Sequence, residues 1–128
     1  MRVFATRIFA RFARKERLED QRLCEAVARA RRGLVDADLG GNLIKQRVAR
    51  RGGGRSSGYR TIIAFRTSQR SVFLYGFAKN ERDSIDDREL SEFKALAKHY
   101  LGFSDTQIAT ALAHSELREV MCDGQEEE

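Results

Sequence analysis

The residues best suited to chemistry in this sequence are cations gathered at the ends of its apolar segments. Lys45 and Arg47 stand two apart between Ile44 and Val48; Arg50, Arg51 and Arg55 flank the run Gly52-Gly53-Gly54; Arg60 follows Gly58-Tyr59; Lys79 and Arg82 follow a later apolar run. An arginine fork holds two phosphate oxygens at once, and lysine adds a point charge. Glycines let a backbone approach a phosphate closely. If the segments carrying these cations pair as neighbouring strands, the cations converge on one side. That pattern points to a polyanion, with nucleic acid first. The plain alternative is a basic, solvated surface.

Charge distribution supports the first reading. Residues 1–82 hold 20 Lys and Arg against 7 Asp and Glu, a balance of +13. Residues 83–128 hold 4 against 12, a balance of −8, and the whole is +5. Of the 24 cations 19 are arginine. A basic body with an acidic end steers anionic partners.

Other chemistry finds little support. The glycine run lies between strands rather than at a strand-to-helix turn, so it is no nucleotide-binding fingerprint. His99 and His114 fall in helical segments of the acidic half and read as solvated residues; their number and spacing give no zinc site. Asp83, Asp86, Asp87 and Glu89 suit the first turn of a helix better than a metal cluster. No metal or cofactor is expected. Cys24 and Cys122 read as free thiols. Arg2, Arg7, Arg11, Arg14 and Arg17 imitate a transit peptide, but Glu16, Glu19 and Asp20 argue against one. No apolar run approaches a membrane span. The expected location is the cytoplasm.

The elements must position the cations. With 128 residues, 41% of them hydrophobic, the chain is long enough for one modest core. The reading is a single α+β domain over residues 1–121, with 122–128 an acidic, disordered tail. Val3 and Phe4 open a short strand over 1–5. Thr6 caps a helix to Glu16 that buries Ile8, Phe9, Phe12 and Ala13. Leu23, Ala26, Val27 and Ala30 mark a second helix over 20–32, ended by Gly33. The period then falls to two. Gly40-Gly41 turns the chain into a strand over 43–49, with Ile44 and Val48 on the face opposite Lys45 and Arg47. Tyr59–Arg66 and Ser71–Phe77 form a hairpin at the centre of an antiparallel meander. Tyr59 points away from Arg60, into the core; Phe73 and Tyr75 share one face and read as core. Ser84 with Asp87 caps a third helix over 85–101, ended by Gly102. Ser104 with Gln107 opens a fourth that buries Ile108, Ala109 and Leu112. Residues 116–121 make a last edge strand.

Ser57-Gly58-Tyr59-Arg60, then a hairpin, then Gly76-Phe77-Ala78-Lys79-Asn80-Glu81-Arg82 resemble the RelE/ParE superfamily of toxins, best its HigB-like branch. The resemblance covers residues 1–113 and implies the RelE-like fold, with two N-terminal helices, a small sheet and C-terminal helices. It implies the toxin of a type II toxin–antitoxin system: a metal-independent, ribosome-dependent mRNA endonuclease that blocks translation. The ribose 2′-hydroxyl attacks the adjacent phosphate, leaving a cyclic phosphate and a 5′-hydroxyl. By this resemblance Arg60 contacts the scissile phosphate, Arg60 and Arg55 neutralise growing charge, and Lys79 or Glu81 moves a proton. Lys45 and Arg47 match the family's paired strand cations; with Arg50, Arg51 and Arg82 they bind nucleic acid. The family's arginine after the lysine is Asn80 here, and its functional tyrosine seven residues on is Asp86. The implied partners are mRNA on the ribosome and a cognate antitoxin, a HigA-like helix-turn-helix protein. Other members inhibit DNA gyrase, and a non-catalytic nucleic-acid-binding module fits the same cations.

Overall fold

A computed structural model of the chain describes residues 1–50 and 58–122. Strand β1 (Arg2–Thr6) leads into helices α1 (Arg7–Glu16) and α2 (Asp20–Arg31). Strands β2 (Ala37–Gly40), β3 (Leu43–Val48), β4 (Tyr59–Arg66) and β5 (Arg70–Ala78) follow, then α3 (Asp87–Leu101), α4 (Asp105–Ala113) and β6 (Leu117–Val120). The strands form one sheet in the order β2-β3-β4-β5-β1-β6. One cluster packs α1 and α2 onto the sheet, joining Phe9 and Leu23 to Ile63 and Phe73. A second packs α3 and α4 onto the other face, joining Ala97 and Ile108 to Leu43 and Ile62.

The expected antiparallel meander holds for β2 to β5, but the sheet is mixed. Strand β1 lies parallel to β5 and antiparallel to β6. It therefore has neighbours on both edges and helices on both faces. Val3, Phe4 and Ala5 are all buried, which explains a continuous apolar run without alternation. The short β2 was not foreseen. Its sequence, Ala37-Asp38-Leu39-Gly40, has little strand character, and pairing with β3 alone makes it.

Local signals set most helix ends. The Thr6 hydroxyl accepts from the Phe9 amide and caps α1, as expected. Ile8, expected inside, is 66% exposed on the far side of that helix. The capping box of α4 at Ser104 and Gln107 is present. Its buried residues are Ile108 and Ala111 rather than Ala109, which is exposed. The box of α3 falls two residues later than expected, at Asp86 and Glu89. Glutamate reaches back to the N-cap amide where the shorter Asp87 cannot.

The thiol expectation is overturned. Cys24 and Cys122 are joined by a disulfide, their Cα atoms 5.7 Å apart across 98 residues of sequence. The fold brings them together: Arg118 pairs with Asp20 at 3.1 Å and the Met121 amide donates to the same carboxylate. The chain end is thus laid against the start of α2. Cys122, expected in the loose tail, is bonded to the fold; residues 123–128 lie outside the described residues. No helix among the described residues is long and apolar enough to cross a membrane.

Candidate nucleic-acid cleft

Residues directly opposite in an antiparallel pair share a face. On the α3 side of β3, β4 and β5 this produces three rows. Leu43, Ala64 and Val72 form the first, Lys45, Ile62 and Tyr75 the second, and Arg47, Arg60 and Phe77 the third. The first row is apolar core. The third places two guanidinium groups side by side at the end of the sheet.

Neighbouring elements hold that row in place. Gln46 is fully buried; its amide donates to the carbonyls of Ala26 and Leu34, and its oxygen accepts from the Asp36 amide. The β3 backbone is thereby fastened to α2 and to the segment before β2. Asp36 accepts from the Arg47 amide at 2.7 Å, and Arg29 donates to the Arg47 carbonyl. Arg60 is only 8% exposed. Burial first, and the charge of Arg47 second, lower its pKa, while Asp36 acts in the opposite direction. Two like charges brought together at partial burial oppose folding, and such arrangements concentrate at functional sites.

Lys79 and Glu81 stand exposed on the turn that leaves β5. The Lys79 amide donates to the Gly58 carbonyl at 3.5 Å, so this turn sits against the start of β4. Among the described residues, the side chains of Lys45, Arg47 and Lys79 have no ion-pair partner. They are available to an anion.

Arg82 is engaged instead. Its fork meets both Glu89 oxygens, at 2.6 and 3.1 Å, and also donates to the Tyr75 hydroxyl and the Ser84 carbonyl. Its guanidinium lies over the rings of Tyr75 and Phe77, 5.9 and 5.5 Å from their centroids. The bond to Glu89 first, and that to Tyr75 second, raise the Arg82 pKa, and the bond from Arg82 is the first cause that lowers that of Glu89. Arg82 braces the wall of the cleft through the α3 capping residue.

Arg50 lies elsewhere. Its guanidinium is over the Tyr59 ring, 5.4 Å from the centroid. Tyr59 faces α1, with an edge contact to Phe12 and its hydroxyl donating to Glu16. Arg50 therefore stands on the face opposite Arg60. Arg51 and Arg55 lie outside the described residues.

Two expectations about neighbouring residues change. A Cβ on Gly58 would come within 2.2 Å of the Val48 carbonyl oxygen, so the close approach it permits is to β3. Phe73 and Tyr75 do not share a packing partner. A bulge in β5 shifts the register, leaving Phe73 in the α1–α2 cluster while Tyr75 stacks on Phe93 at 5.3 Å. Sequence reasoning missed Phe77, Tyr75 and Glu89 as cleft residues. Glu89 was hidden by the misplaced capping box, and Tyr75 by the bulge.

The arrangement can hold a phosphate against Arg47 and Arg60, with Lys45 and Lys79 alongside and the Phe77 ring as an apolar neighbour. His99 and His114 are exposed on other parts of the surface. A family model described as the RelE toxin of the RelE/RelB toxin–antitoxin system matches residues 1–120. No curated protein matches the chain.

Proposed function

The chain belongs to the RelE toxin family, and from that premise we propose that it is the toxin of a type II toxin–antitoxin pair that cuts mRNA on the ribosome. The observation that carries this reading is the Arg47–Arg60 pair. Two cations set in register on the sheet, with Lys45 and Lys79 unengaged beside them, suit a phosphodiester passing over the end of β3 and β4.

In this reading Arg60 contacts the scissile phosphate and offsets the charge that grows on it. Removing one such contact costs about 2.7–4 kcal/mol of transition-state stabilisation. Arg47, with Lys45, holds the flanking backbone. Lys79 and Glu81 are the proton-transfer candidates on the turn beside Arg60. On that turn Lys79 is the candidate proton donor and Glu81 the candidate acceptor. Arg55 and Arg51, on the segment between β3 and β4, are proposed as further phosphate contacts. Arg82 shapes the cleft and Arg50 contributes charge from the opposite face. The proposed antitoxin is of the HigA-like, helix-turn-helix kind, and the chain itself of the HigB-like branch acting in the cytoplasm.

The test is incubation of the purified chain with a translating extract, followed by mapping of mRNA 5′ ends. Cleavage within codons, seen only when ribosomes translate, is expected. Intact mRNA together with broken supercoiled DNA in the presence of gyrase assigns the gyrase-inhibitor activity instead. Binding of RNA without either event leaves a non-catalytic module.

A further inference from the structure

Helix α2 starts without a side-chain cap. Glu19 stands at its N-cap and makes no capping bond. The end of the chain holds this first turn instead. Asp20 accepts from the Met121 amide at 2.9 Å and pairs with Arg118 at 3.1 Å. One turn further on, the Cys24–Cys122 disulfide closes the contact. Both cysteines are half-buried, which leaves their sulfurs within reach of a small thiol. In the cytoplasm, the location already proposed, disulfides are as a rule transient or redox-sensing.

The same helix also grips the cleft. The Ala26 carbonyl accepts from the Gln46 amide at 2.9 Å. Arg29 donates to the Arg47 carbonyl and stands 3.9 Å from Asp36, whose carboxylate accepts from the Arg47 amide. Cys24, Ala26 and Arg29 lie within two turns of one helix. Arg47 sits beside Arg60 in register, and the two guanidinium groups repel each other. Like charges spread apart unless their backbones are held, and here the hold on Arg47 comes from α2 and from Asp36 beyond its end.

We infer that the Cys24–Cys122 pair is a redox switch on the phosphate cleft. The closed bond fixes α2 and keeps Arg47 beside Arg60. Opening it releases the chain end, loosens α2 and weakens RNA binding. This rests on the reading of Arg47 and Arg60 as an RNA-phosphate site. The reagent is a glutathione-type thiol–disulfide couple. One cysteine thiolate attacks glutathione disulfide and expels a glutathione thiolate; the second attacks the mixed disulfide, forms the Cys24–Cys122 bond and expels the other. The two protein thiols give up two electrons and two protons, and two glutathione thiols appear. The reverse exchange opens the bond. The link is reciprocal: whatever factor the closed bond adds to RNA affinity, bound RNA adds to the stability of the bond. The route follows hydrogen bonds from α2 to β3 and leaves the aromatic packing of α1 on the sheet intact.

The experiment titrates fluorescein-labelled oligouridine with the full-length chain in glutathione buffers poised from reducing to oxidising. Thiol labelling reads the state of the bond, and circular dichroism at the assay temperature reads the fold. The reduced chain should stay folded and bind about 5-fold or more weakly. Saturating oligouridine should move the glutathione midpoint of the bond toward the reducing side by the same factor. Cys24→Ala with Cys122→Ala should bind at the reduced level in every buffer. Arg29→Ala, which cuts the link from α2 to the Arg47 carbonyl, should bind weakly and shrink the redox dependence. Equal affinity in the two states, or a midpoint that oligouridine does not move, overturns the switch. So does a redox dependence that the double cysteine variant retains. A reduced chain that is unfolded at the assay temperature overturns it too, and gives the bond a structural role only. If oligouridine binding follows the bond while the chain cuts no mRNA in a translating extract, the toxin reading fails and the switch stands. If mRNA is cut at one rate in both states and oligouridine affinity is equal, the switch fails and the toxin reading stands.

Discussion

Tyr59 and Arg60 are neighbours in one strand and meet opposite conditions. The side of the sheet that Tyr59 faces is closed by α1. Phe9 and Phe12 lie directly on the β5 backbone, and a Cβ on Gly76 would come within 2.5 Å of the Phe12 ring. The side that Arg60 faces carries Arg47 and Phe77, with Arg82 and Glu89 as its wall. The strand segment is shared, so stability from the closed face offsets what the two guanidinium groups cost on the other. Packing and phosphate binding are therefore separable by substitution.

Substitutions at four positions sharpen or break that separation. Phe73→Ala, on the closed face, should cost about 3–5 kcal/mol of stability, read as a lower urea midpoint. Cleavage by the fraction still folded should be unchanged; a specific loss of activity would mean that the faces are coupled. Arg60→Ala should do the reverse. It should lower mRNA cleavage roughly 10²–10³-fold, about 2.7–4 kcal/mol, with a near-normal melt. Arg60→Lys should rescue little, because a point charge cannot reproduce the fork. A collapsed melt, or cleavage at the wild-type rate, would end the assignment of Arg60 to the phosphate.

The third substitution returns to the closed side. Cys24 packs against the α1–α2 cluster, and its bond to Cys122 closes a loop with a sequence separation of 98 in a chain of 128 residues. Cys24→Ser should lower stability by about 2–4 kcal/mol, with a matching loss when the wild type is treated with dithiothreitol. An unchanged melt in both cases would show that the bond contributes nothing.

The smallest effect belongs to Glu89. Its carboxyl is held below its ordinary value, first by the side-chain bond from Arg82 and then by the backbone bond from Asp86. A depressed carboxyl stabilises the fold above its unfolded pKa, near 4.3, and that contribution is lost as pH falls through the lower folded value. Glu89→Gln should flatten this acid limb and loosen Arg82 from Tyr75, shifting KM for RNA more than kcat. An acid limb identical to that of the wild type would remove the brace from the account of the cleft.

Much of this was readable along the chain because it depends on near neighbours. The Thr6 cap, the Ser104–Gln107 box and the i, i+3, i+4, i+7 stripe of α2 each involve residues within about two turns of one another. Lys45 and Arg47 share a face of β3 because strand side chains alternate, whatever the partner strand. Tyr59 and Arg60 were separable for the same reason. The bulge in β5 broke that rule at Tyr75, since one extra residue against β4 resets every side chain beyond it.

The sequence by itself determined the stripe of α2, the central hairpin and the concentration of cations before residue 82, because spacing and composition act locally. Only the tertiary structure decided which cations meet. Register set Arg47 beside Arg60, the turn after β5 committed Arg82 to Glu89, and strand direction sent Arg50 over Tyr59 on the opposite face. It also inserted β1 parallel to β5 and brought Cys122 to Cys24. The last two join residues tens of positions apart, and all of them follow from burying two faces of one sheet at once rather than from any pattern within a segment.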